Sequence, residues 1–157
     1  MSATGTNRLR RLIWLSLALI SAYASAFSSA ADAGVTGYWQ EEPSRAVIQI
    51  AQCAEGLCLT IVALPSNLPH TDVRNPDLKL RSRPLCGLRI GQGFTQTDLQ
   101  HADGGDLYDP KSGRIYSGSM TAEGNRLKLR GYLGIKFLGR TEIWTRVRQP
   151  NTKCTPG

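Results

Sequence analysis

From residue 37 to residue 147 the chain rarely runs more than about ten residues without a turn signal, and no stretch carries the spacing of a long amphipathic helix. Such a chain has to bury its apolar side chains through short strands. Residues 34–40 hold Gly37-Tyr38-Trp39, a first strand. Residues 46–52 are rich in β-branched side chains, and residues 57–64 are apolar almost without a break. Residues 85–94 make one short strand or an irregular segment, and residues 95–105 are polar and turn-rich. Residues 105–108 and 114–121 pair across Asp109-Pro110-Lys111-Ser112-Gly113, where Asp, Pro and Gly stand in turn order. Residues 126–133 alternate, with Leu127, Leu129 and Gly131 opposite Lys128, Arg130 and Tyr132. In residues 140–147, Ile143 and Val147 oppose Trp144 and Arg146. About eight strands at this spacing imply an all-β antiparallel meander, closed as a barrel or folded as a sandwich. Closure removes the edges that an open meander exposes.

The first 26 residues belong to a different kind of segment. Arg8, Arg10 and Arg11 precede an apolar run over residues 12–23, too short to span a bilayer, and Ala24-Ser25-Ala26 follows. That is the build of a secretory signal peptide, with residues 31–33 as a second cleavage point and an uncleaved anchor as the rival reading. The expected destination is the periplasm or the exterior of a bacterial cell. The formal charge of +7 falls to +4 once these three arginines are gone. That modest excess does not argue for nucleic acid, so none is expected as a partner. The remainder, residues 27–157, is expected to be one domain with flexible ends.

All four cysteines, Cys53, Cys58, Cys86 and Cys154, lie in the exported part. An even count in an oxidising compartment suggests disulfides, and three pairings are possible. Cys53 and Cys58 flank a turn and could staple a hairpin, leaving Cys86 with Cys154. The rival is a four-thiolate metal site, for which the spacing lacks two close pairs.

Residues 75–84 combine the only helical signal with two guanidiniums. Asn75 suits a helix N-cap, Pro76 the first helical position and Asp77 the positive end of the dipole. A short helix is expected near residues 76–82, stopped before Pro84.

These segments together resemble a bacterial family of exported proteins, domain-of-unknown-function family 2147. The motifs that carry the resemblance include Gly37-Tyr38-Trp39, the Cys53–Cys58 turn and Asn75-Pro76-Asp77 with the Leu80-Arg81-Ser82-Arg83-Pro84-Leu85 run. They continue with Tyr108-Asp109-Pro110-Lys111-Ser112-Gly113, Tyr116, Leu129-Arg130-Gly131-Tyr132 and residues 139–147. The resemblance covers residues 35–147 and implies a lipocalin-like barrel that holds a small molecule in a cup, with no reaction established. Gly37-x-Trp39 also resembles the lipocalin first strand, where an arginine of the last strand covers the tryptophan. Arg146 is the candidate here, and a Trp39 that simply packs in the core is the alternative.

Six residues are candidates for ligand binding. Arg81 and Arg83 offer planar forks for carboxylate or phosphate, or else pair internally with Asp77, Asp109 or Glu142. Tyr116, Arg130 and Tyr132 could share one polar face, lining a cavity if it points inward and meeting solvent if it points outward. Asp109 begins a turn, and a catalytic part for it needs a second acid nearby. His70 and His101 stand alone, and no metal, cofactor or hydrolase motif is present in the sequence. The expected function is therefore binding of an unknown, partly apolar or anionic small molecule, without catalysis. A cell-envelope interaction protein using its outer face is the alternative, and a hydrolase with an acid pair or an Asp–Arg–Tyr cluster in a pocket is the third.

Overall fold

The computed structural model describes residues 34–151 and Cys154; the expected signal peptide lies outside the described residues. The alternating segments become eight strands: β1 (Gly37–Glu41), β2 (Val47–Cys53), β3 (Gly56–Ala63), β4 (Arg89–Gln96), β5 (His101–Asp109), β6 (Arg114–Glu123), β7 (Arg126–Tyr132) and β8 (Arg140–Val147). Each pairs antiparallel with the next, and β8 returns to β1 through Tyr38↔Val147 and Glu41↔Trp144. The sheet is thus a closed barrel with every strand in sequence order. The expected eight-stranded, lipocalin-like barrel is what the chain forms, and the sandwich is not.

Closure decides which half of each alternation points inward. Trp39 pairs with Ile48, Ile50 with Leu59, Met120 with Leu129 and Leu127 with Trp144, and all of these are buried in one core. Phe94 lies fully buried across two glycines. A Cβ on Gly105 would come within 2.2 Å of its ring, and one on Gly118 within 2.6 Å. Those two positions therefore have to be glycine for the ring to lie flat across the interior. β5 is longer than its composition suggests. Gly104, at φ 78°, takes up an extra residue as the register shifts between Asp103 and Gly105, so the strand continues through a polar stretch that looks like a turn.

The barrel has two unlike ends. At one, short turns join β2 to β3, β4 to β5 and β6 to β7. At the other lie the connections 42–46, 64–88, 110–113 and 133–139. The first end is closed by the contact expected between Trp39 and Arg146. The guanidinium carbon sits 4.0 Å from the ring centroid, Trp39 Nε1 donates to the Val35 carbonyl at 2.8 Å, and Arg146 donates to the carbonyls of Thr36, at 2.9 Å, and Gly34.

Both disulfides form. Cys53–Cys58 staples the β2–β3 hairpin, with Cα atoms 5.9 Å apart, and Cys86–Cys154 ties the long connection to the tail, with Cα atoms 5.3 Å apart. The Cys154 amide also donates to Val62 O on β3 at 2.8 Å. The helix expected over residues 76–82 shrinks to one 3-10 turn, Leu78–Leu80. Its cap is Asp77, which accepts from the Lys79 amide, and not Asn75. Asn75 Oδ1 accepts from the Asp77 amide at 2.9 Å, ahead of that turn, and its Nδ2 is committed to the contacts described next.

Candidate functional site

The half of the barrel away from Trp39 and Phe94 is hollow. A cavity of about 830 Å³ occupies it and reaches all four connections at that end. Its walls are the inward side chains of the strands: Ile48 on β2, Ile61 on β3, Ile90 on β4, Leu107 on β5, Leu129 on β7 and Trp144 on β8. On β2, β3, β5, β7 and β8 these follow from the period-two alternation, whereas β4 is irregular, with Ile90 and Gly91 both buried.

Charge is confined to the mouth. Glu41, at the inward end of β1, is buried and accepts from Ser44 Oγ and from Lys111 Nζ. Lys111 belongs to the β5–β6 turn, on the opposite side of the barrel, so this ion pair spans the opening. Arg140 and Glu142 project inward from β8, since Gly131 pairs with Arg140 and Leu129 with Glu142. Glu142 accepts from Trp144 Nε1 at 3.2 Å. Arg74 adds a further cation from the long connection. The sequence suggests Glu142 only as an internal partner of Arg81 or Arg83, and none of Glu41, Lys111, Arg140 and Glu142 is among the six ligand-binding candidates. The alternation of β8 around Trp144 was the signal that could have found the last two.

Of the six sequence candidates, three border the cavity and three do not. Tyr116 faces inward beside Gly131, and Asp109 and Tyr132 reach the rim. Asp109 also builds its turn as expected, accepting from the Lys111 amide at 2.9 Å and from Ser112 Oγ at 2.7 Å. Arg130 lies on the outer face, because Leu129 takes the inward position. Its guanidinium donates to the carbonyls of Lys136 and Phe137, at 2.8 and 2.7 Å, and to Thr141 Oγ1 at 2.8 Å. Tyr116 and Arg130 therefore do not share a face, contrary to the arrangement expected from sequence. Arg81 Nε donates to the Asn75 carbonyl at 2.8 Å, on the outside of the long connection.

Arg83 pairs internally, but with none of the three acids expected. Its partner is Asp72, which is 1% exposed. Arg83 Nε and Nη2 reach Asp72 Oδ2 at 2.9 and 2.7 Å. Asn75 Nδ2 donates to the same oxygen at 2.8 Å, and the Tyr108 hydroxyl donates to Oδ1 and Oδ2 at 2.7 and 2.8 Å. Burial would raise the Asp72 carboxyl, but the hydrogen bonds from Tyr108, Asn75 and Arg83 outweigh it and hold the group below the usual carboxylate range. Burial and the Asp72 charge push the Tyr108 phenol up. This Asp–Arg–Tyr cluster lies outside the cavity lining apart from Tyr108, and its carboxylate is enclosed by its donors. It joins the long connection to β5 and is built as a latch.

Among the described residues, no group of three or more His, Cys, Asp or Glu side chains could hold a metal ion. No helix among them is long and apolar enough to cross a membrane.

The geometry can be set beside known proteins. No curated protein matches the chain. Among solved structures, the barrel is similar to protein HP1028 from the human pathogen Helicobacter pylori, described as belonging to the lipocalin family. The likeness has a TM-score of 0.64 and 18% identity, over 73% of this chain and 83% of that one, and it bears on the fold alone. The family described as "Uncharacterized protein conserved in bacteria (DUF2147)" matches residues 37–146, which span all but the last residue of the barrel. The chain belongs to the DUF2147 family, here in the form of a lipocalin-like barrel with a one-ended cup.

Proposed function

We propose that the protein is exported and carries a small, partly apolar molecule in the cup, with the polar end of that molecule at the mouth. One observation carries the reading: an apolar-walled cavity of about 830 Å³ whose charges all stand at its opening. A cavity of this size suits a small ligand, and apolar walls with a few placed polar groups are the usual make-up of such sites. Lys111, Arg140 and Arg74 favour an anionic head group, with Tyr116, Asp109 and Tyr132 beside it. A carboxylate or phosphate on the ligand would compete with Glu41 for Lys111. Export is supported by the pattern of residues 1–26 and by two disulfides.

The test is native mass spectrometry on protein purified from its own host, with cell fractionation of the same material. The expected result is a retained mass beyond the chain, lost on denaturation, in the fraction outside the cytoplasm. The amphipathic anion 1-anilinonaphthalene-8-sulfonate should bind as well, and Leu129→Trp, which narrows the cup at its wall, should weaken it. Protein that carries nothing, and a probe affinity indifferent to Leu129→Trp, would overturn the reading.

A further inference from the structure

The cup accounts for only part of the apolar surface around its mouth. Of the large apolar side chains exposed among the described residues, most lie on mouth-side connections, and Leu99 is the one in a turn at the far end. The densest group is in the β7–β8 connection, where Phe137 is 87% exposed, Leu138 75%, Ile135 64% and Leu133 61%. Such exposure normally signals a surface that is covered in use.

The same loop is held stiffly. Arg130 ties down the carbonyls of Lys136 and Phe137, Lys136 pairs with Asp103, and the Gly139 amide donates to Lys136 O at 3.2 Å. The polar backbone is thus turned to the barrel; Leu133 and Leu138 border the cup, whereas Ile135 and Phe137 do not. Its setting is basic. Arg130, Lys136 and Arg140 stand on or beside the loop, with Arg130 bound to the loop's carbonyls and Lys136 paired to Asp103. Across the mouth, the long connection exposes Leu78 and Val73 beside Arg74, Lys79 and Arg81, with Asp77 the exposed acid among them.

We propose that the mouth of the barrel docks on an anionic lipid surface, with Ile135 and Phe137 entering the head-group layer and the surrounding arginines and lysines meeting lipid phosphates. A shaped protein partner fits less well. A stable protein interface needs about 800 Å² from each side, and a seven-residue loop of protruding side chains supplies only part of that. A bilayer needs no matching shape. It accepts apolar side chains at the acyl boundary and attracts the basic groups that flank them. The docking does not depend on the cup being occupied.

The test is co-sedimentation of the disulfide-bonded protein with vesicles of phosphatidylethanolamine and phosphatidylglycerol, beside vesicles of phosphatidylcholine. The expected result is binding to the anionic vesicles that weakens as salt is raised. Ile135→Asp with Phe137→Asp should reduce it at least tenfold with unchanged melting, since neither residue borders the cup. Leu99→Asp, at the far end, should leave it intact. In a separate variant, Phe137→Trp, the fluorescence emission should shift to the blue on adding anionic vesicles. Wild-type protein that ignores every vesicle, binding that survives the double substitution, or an emission that does not move in the Phe137→Trp variant would each overturn the proposal. So would a lipid-free dimer that the double substitution dissociates, because the loop would then serve a second copy of the chain.

Discussion

The hydroxyl of Tyr108 donates to both carboxylate oxygens of Asp72, a residue 36 positions earlier in the chain. This contact fastens the long 64–88 connection to the barrel wall. Because Asp72 is enclosed, removing its charge strands Arg83, Asn75 and Tyr108 together. Asp72→Asn is expected to cost about 2–3 kcal/mol at neutral pH, read from denaturant unfolding.

That latch also sets an acid dependence. The Asp72 carboxyl is lower in the fold than in the unfolded chain, where about 3.9 is ordinary. Its stabilising contribution is complete above that ordinary value and is lost as pH falls through the lowered native one. Asp103, held down chiefly by its hydrogen bond from Lys136, acts in the same sense. Melting temperature should therefore drop as the solution is acidified below about pH 4, and the gap between wild type and Asp72→Asn should narrow there. A constant gap down to strong acid would refute the assignment.

Arg146 closes the far end by two means, its carbonyl contacts and its stacking on Trp39. Lysine keeps the charge but not the planar fork. Arg146→Lys should destabilise the protein by about 1–2 kcal/mol, and equal stability would show that charge alone suffices.

The Cys86–Cys154 link closes a sequence separation of 68, and Cys53–Cys58 one of 5. In the chain-entropy picture the first is worth about 4 kcal/mol and the second about 2 kcal/mol. Cys86→Ser with Cys154→Ser should thus lower the melting temperature more than Cys53→Ser with Cys58→Ser, measured under oxidising conditions.

Gly105→Ala places a methyl group against the ring of Phe94. An overpacking cost of about 2 kcal/mol is expected by thermal unfolding.

Much of the barrel was readable from the chain because strands leave local marks. The alternation in residues 126–133 and 140–147, the Asp109–Gly113 turn and the Gly37-x-Trp39 pattern each become the element they suggest. What was not readable depends on closure. Alternation separates Leu129 from Arg130, but only the completed barrel turns Leu129 inward and leaves Arg130 to the outer loop. Asp72 sits in a polar stretch without a motif, and it meets Tyr108 and Arg83 only once the long connection folds back on β5. Residues 101–104 look like a turn because a bulge at Gly104 absorbs the glycine without ending the strand. Asn75 Oδ1 does accept from the Asp77 amide, at 2.9 Å, and its Nδ2 donates to Asp72 and Tyr108, but the helical turn itself starts two residues later, behind Asp77.

The 64–88 connection is anchored twice, by Asp72 on Tyr108 near its start and by Cys86 on Cys154 near its end. The widest lip of the opening is therefore a fixed rim. A guest entering there would meet a lip held in place at both ends, so selection on that side would fall on the guest's cross-section.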